Sequence, residues 1–166
     1  MDKLEWCLEK GKTTKRKHRG LRAVEPDVEE SKEHLKKAEH NIDFMEEVKK
    51  LGRFNDWVFP AAFYSMYHAC LAVLENFGYD SRNQECTFTV LKKLIREGKI
   101  GLSSDDIAMI RGIGKSINED IKTLREDFQY GTKVNAEEQL VEDICDSAKA
   151  FVERVKGLLH VLWGEV

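Results

Sequence analysis

An all-α fold, an antiparallel up-and-down bundle of four to five helices, is predicted by three features of this 166-residue sequence. Residues 57–74 are apolar on nearly every side of a helix, with Ser65 and His68 the plainly polar exceptions, which places the segment in an interior. Elsewhere apolar residues recur in steps of three and four, as at Leu35, Ala38, Ile42, Met45 and Val48. No segment sustains the period-two alternation of a half-buried strand, so no sheet is expected.

Residues 2–9 suit a short helix with Leu4, Trp6, Cys7 and Leu8 on its apolar side, ended by Gly11. Lys12, Lys15, Arg16, Lys17, His18, Arg19 and Arg22 follow with no acid among them. Such cations can hold nucleic-acid phosphates, or they can form a solvated loop that balances the acidic segment after it. Residues 1–26 are thus read as a short helix with a basic arm, and 27–166 as the bundle domain.

The first long helix starts at Asp27, a capping residue with Glu30 three positions on, and stops at Gly52. The central helix begins near residue 56, because Pro60 is tolerated only in a first turn. Small residues at Ala62, Ser65, Ala69 and Ala72 form a seam that a neighbouring helix can approach closely, and Gly78 ends the helix. Ser81 or Asn83 caps a third helix to about residue 97. Ser103 with Asp106 opens a fourth, carrying Ile107, Ile110, Ile117, Ile121, Leu124 and Phe128, with Gly112 and Gly114 as weak points. Asn135 with Glu138 starts the last, along which Val141, Ile144, Ala148, Phe151, Val155, Leu158 and Leu162 make the apolar stripe.

A net charge of −3 excludes a global positive field, so contact with RNA or a nucleotide has to be local. Cys7, Cys70, Cys86 and Cys145 are scattered among apolar residues without CxxC spacing, which reads as core filling in a reducing, cytoplasmic compartment. Charges at Asp2, Lys3 and Glu5 are unlike a signal peptide. Residues 57–74 have the length of a membrane span, but Pro60, Tyr64, Ser65, Tyr67 and His68 interrupt them, and the amphipathic neighbours need an apolar partner. A buried helix, with no membrane contact, is expected.

The run AAFYSMYHACLAVLENFGY at 61–79, then SRNQECT at 81–87 and IKTLREDFQYG at 121–131, resembles the HEPN domain, in particular its small stand-alone prokaryotic members. The resemblance covers about 33–159 and leaves the basic arm outside. It implies an up-and-down bundle that forms a homodimer and is often encoded beside a minimal nucleotidyltransferase, in toxin–antitoxin or related modules. Active members cleave RNA with an Arg-x4-6-His motif. The matching stretch here has Arg125, but Tyr130 stands where the histidine is expected. Tyrosine, with an ordinary pKa near 10, cannot carry a proton at neutral pH as histidine can. Arg125 can still hold a phosphate and Tyr130 can still stack on a base, or the two can simply pair with an acid and close the helix end. At Gln84 the resemblance expects a histidine; Asn83 and Gln84 can contact a base or phosphate but not move protons, or Asn83 can serve only as a cap.

His68, mid-helix beside Tyr64 and Tyr67, is the other candidate proton carrier, against a plain role as a satisfied core histidine. Residues 112–116 have the tail of a phosphate loop, but Met109 occupies the position of its first glycine and no strand precedes it. His34 and His40, six apart, lack metal-ligand spacing, and neither a metal nor a cofactor is implied. The resulting expectation is a dimeric binding module for RNA, a nucleotide or a partner nucleotidyltransferase, degenerate in catalysis, with an aromatic face and the small-residue seam making the dimer. The RNA-binding set is Arg125, Tyr130, Asn83, Gln84, Lys15, Arg16, Lys17 and Arg19. A metal-independent endoribonuclease using Arg125 with Tyr130 or His68, and a purely structural interaction protein, are the alternatives.

Overall fold

The computed structural model describes residues 1–12, 17–111, 121–132 and 134–165. Among these the elements run α1 (Lys3–Gly11), β1 (Leu21–Ala23), α2 (Val28–Leu51), a 3-10 turn (Asn55–Trp57), α3 (Val58–Asn76), β2 (Tyr79–Ser81), α4 (Gln84–Arg96), α5 (Ser104–Arg111), α6 (Ile121–Tyr130) and α7 (Glu138–Trp163). The fold is the expected helical bundle. Gly112, Gly114, Ile117 and the rejected phosphate-loop tail lie outside the described residues.

The central segment is the buried axis. Most of α3 is buried, and it packs against α2, α7 and α6. Pro60 is its third residue, where the missing N–H would have had no helical partner in any case. The stretch Asn55–Asn76 is long and apolar enough to cross a membrane, but it lies mostly inside the bundle. Phe59, Phe63, Phe88 and Phe151 are fully buried, each contributing on the order of 1.5–3 kcal/mol.

Asp27 caps α2 by accepting from the Glu30 N–H at 2.9 Å, and Gly52 ends it with φ +67°. Asn83, not Ser81, caps α4 through the Cys86 N–H. Ser103 and Asp106 form the reciprocal box before α5. The expected cap at Asn135 is not formed: α7 starts at Glu138 after Glu137, without a side-chain cap, because Asn135 stands too far upstream. Helix α7 is clamped to α2 by Lys49–Glu142 at 2.6 Å and Lys156–Glu39 at 2.5 Å, and Glu165, just after α7, pairs with Lys32 of α2 at 2.7 Å.

Three expectations are corrected. A small sheet exists: β1 and β2 pair antiparallel with Leu21 opposite Ser81 and Ala23 opposite Tyr79. Strands of three residues are too short to show alternation, and their partners lie far apart in sequence. Cys7 and Cys86 form a disulfide, leaving Cys70 and Cys145 as buried free thiols, so core filling describes only two of the four. The inference from cysteine placement to a reducing compartment loses its ground. The small seam is also not exposed, since Ala62, Ser65, Ala69 and Ala72 are fully buried and Ser31 Oγ on α2 donates to Ala72 O at 2.6 Å. The seam serves packing within the chain.

The N-terminal segment is folded onto the bundle. A Cβ on Gly11 would stand 1.9 Å from Leu21 O, so only glycine allows α1 to approach β1 this closely. Arg22 Nε donates to Gly11 O at 3.0 Å, and buried His18 pairs with Asp80 at 2.9 Å.

Candidate functional site

Arg125 is brought to the centre by the packing of α6 on α3. Phe128, one turn further along α6, stacks on Phe59 with ring centroids 4.3 Å apart and interplanar angle 9°. This seats Arg125 at 4% exposure, its guanidinium 4.4 Å from the Phe63 ring centre and 5.5 Å from that of Tyr64. Nη1 donates to Tyr64 Oη at 3.0 Å, Nη2 to Glu126 at 3.3 Å, and Nε has no partner. Tyr130 is 71% exposed, its ring centre 5.9 Å from the guanidinium carbon.

Beside this assembly lies a cleft of about 350 Å³ lined by Lys37, Asn41 and Phe44 of α2, by Trp57, Tyr64 and His68 of the central segment, and by Gln129 of α6. Phe44 and Trp57 are each about half exposed, at 50% and 51%. Gln129 Oε1 is buried without a partner. The cleft thus combines two aromatic faces, a lysine and several amide or hydroxyl groups, with Tyr64 connecting its wall to the guanidinium behind it.

His68 is not alone. Its Nδ1 lies 3.0 Å from Nδ1 of His34, so one ring must donate and the other accept. Burial, then the His34 ring and Lys37, lowers the pKa of His68 to about 4. Burial also lowers that of His34, with Glu30 and Asp80 pulling the other way. A neutral histidine of such low basicity is a poor proton carrier at neutral pH, where the most effective catalytic groups titrate near the working pH. The pair crosses from α2 to α3, 34 residues apart, which is why helix periodicity could not reveal it.

The other candidates lie elsewhere. Asn83 is the α4 cap and Gln84 the first residue of that helix, both half-buried, and neither lines the cleft. Lys17 and Arg19 are exposed on the segment before β1, while Lys15 and Arg16 lie outside the described residues. Among the described residues no three His, Cys, Asp or Glu side chains converge as metal ligands.

The family model for the HEPN domain matches residues 31–158. The chain belongs to the HEPN domain family. A curated relative in Archaeoglobus fulgidus, named UPF0332 protein, is 25% identical over 133 residues that cover 80% of this chain and 98% of the relative. Helices α2 to α7 carry the match, so the Arg125 assembly lies inside the HEPN domain, while α1, the basic segment and β1 precede it.

Proposed function

We propose that this HEPN protein is a dimeric, cytoplasmic binding module for single-stranded RNA or its nucleotides, with little or no cleavage activity. The observation that carries the reading is the cleft in which half-exposed Phe44 and Trp57 flank Lys37, Asn41, Tyr64 and Gln129. Aromatic faces stack on bases of any sequence while a nearby cation meets the backbone, the combination that suits single strands. Arg125 keeps Tyr64 in place and adds positive charge behind the wall. Leu51, the last residue of α2, and Phe54, in the link to the 3-10 turn, are exposed at 57% and 43% and supply the apolar contact of the dimer. A buried disulfide is compatible with a cytoplasm where intracellular disulfides persist, as in hyperthermophiles.

Fluorescence anisotropy with a 5′-labelled single-stranded RNA tests the reading. Trp57→Ala should weaken binding about tenfold, since stacking contributes on the order of 1–3 kcal/mol per base. Arg125→Lys should weaken it as well, because a lysine cannot hold Tyr64 in the same geometry. Unchanged affinity in Trp57→Ala would overturn the cleft as the RNA site. The endoribonuclease alternative is favoured by one observation, that His68 and Tyr64 line the same cleft. Incubation with mixed RNA decides it: cleavage by the wild type that disappears in both Arg125→Ala and His68→Asn would replace binding with catalysis.

A further inference from the structure

A second cleft, of about 460 Å³, opens between α1 and α4, lined by Asp2, Lys3 and Leu4 on one side and Thr89, Lys92, Lys93 and Arg96 on the other. Lys92 and Arg96 are one helical turn apart on α4 and both are exposed. Neither has a carboxylate within ion-pair reach among the described residues, whereas Lys32, Lys49, Lys149 and Lys156 are all paired. Lys3 is held over the Trp6 ring at 4.5 Å. Lys93 is engaged by Glu97 and Tyr79, so it contributes less. The one acid on the rim, Asp2, has Oδ1 committed to the Glu5 N–H as the α1 cap.

We infer that this cleft is a second nucleic-acid contact, a strip that takes the phosphodiester backbone of a single strand. Lys3, Lys92 and Arg96 hold its phosphates. The lining offers cations and methylene stems but no aromatic face to stack a base, so the contact is independent of sequence. Lys3 belongs to the segment before the matched HEPN domain, and the Cys7–Cys86 bond fixes α1 against α4, which keeps the two sides of the cleft together. The local concentration of unpaired cations provides the attraction that a net charge of −3 does not. The strip is built from different elements than the aromatic cleft, so it stands or falls separately.

The experiment measures RNA affinity against salt for the full chain, the triple variant Lys3→Gln/Lys92→Gln/Arg96→Gln, and Trp57→Ala, with folding checked by circular dichroism. Each lost phosphate contact makes the log–log salt slope shallower by about 0.7 for a single strand, so the triple variant should lose about 2. Trp57→Ala should keep the slope and lower affinity at every salt concentration. Cys7→Ser/Cys86→Ser should also flatten the slope by releasing Lys3. Addition of inorganic pyrophosphate should compete only weakly; full displacement at low millimolar pyrophosphate would instead assign the cleft to small phosphate anions. A triple variant with the wild-type slope would overturn the proposal, whatever Trp57→Ala does.

Discussion

An exposed histidine is mostly protonated by pH 5, but burial disfavours the charged form of both His34 and His68, and at His68 the His34 ring adds to the effect. Their folded pKa values lie below the unfolded one, so the stabilisation is present above about pH 6.5 and is lost as pH falls toward about 4 for His68. Two-dimensional NMR of the imidazole nitrogens should show His68 neutral at pH 5.5 and the His34 midpoint below that of an exposed histidine, with one of the two neutral rings carrying its proton on Nδ1; midpoints near 6.5 for both would contradict the paired geometry. Glu75 has the opposite sign. Burial first, then Asp80, Glu30 and Asp27, pushes its carboxyl up to about 7. A raised folded pKa gives stability that is complete below the unfolded value and lost as pH rises through about 7. Calorimetry of Glu75→Gln should therefore show a Tm raised by about 2–4 °C at pH 8 and little change at pH 4. Arg125 was visible in the sequence through its motif, but its burial in an aromatic cage was not. That burial follows from Phe59 stacking on Phe128, a contact between residues 69 positions apart that no local pattern encodes.

Helix ends and apolar stripes were legible because capping and amphipathicity are local: Asp27, Gly52, Asn83 and Ser103 all act where their chemistry indicates. The same logic failed where the partner is distant. The pairing of β1 with β2 and the joining of Cys7 in α1 to Cys86 in α4 link segments about 60 to 80 residues apart, and separate cysteines in apolar surroundings look alike whether bonded or free. The disulfide closes a loop with sequence separation 79, for which chain entropy gives about 4.5 kcal/mol of stabilisation. Thiol titration of the unfolded protein without reductant should find two thiols, those of Cys70 and Cys145, and four after reduction. Cys7→Ser/Cys86→Ser should lower Tm markedly. Four thiols without reductant would remove the staple from the account.

For the whole molecule, the HEPN bundle forms one aromatic cleft between α2, α3 and α6, and the preceding α1 forms a second, basic cleft with α4. Light scattering at micromolar concentration should return twice the 19.2 kDa chain mass, and Leu51→Asp/Phe54→Asp should return the single-chain mass. A wild-type monomer would remove the dimer while leaving both RNA contacts open to test. In the proposed complex RNA bases enter the cleft beside Trp57. Photo-crosslinking of a 4-thiouridine-containing single strand, with the adducts located by peptide mass spectrometry, measures this directly. The expected adducts fall on peptides carrying Phe44, Trp57 or Tyr64 and disappear in Trp57→Ala. Adducts confined to other peptides, or none above a non-binding control protein, would contradict the account.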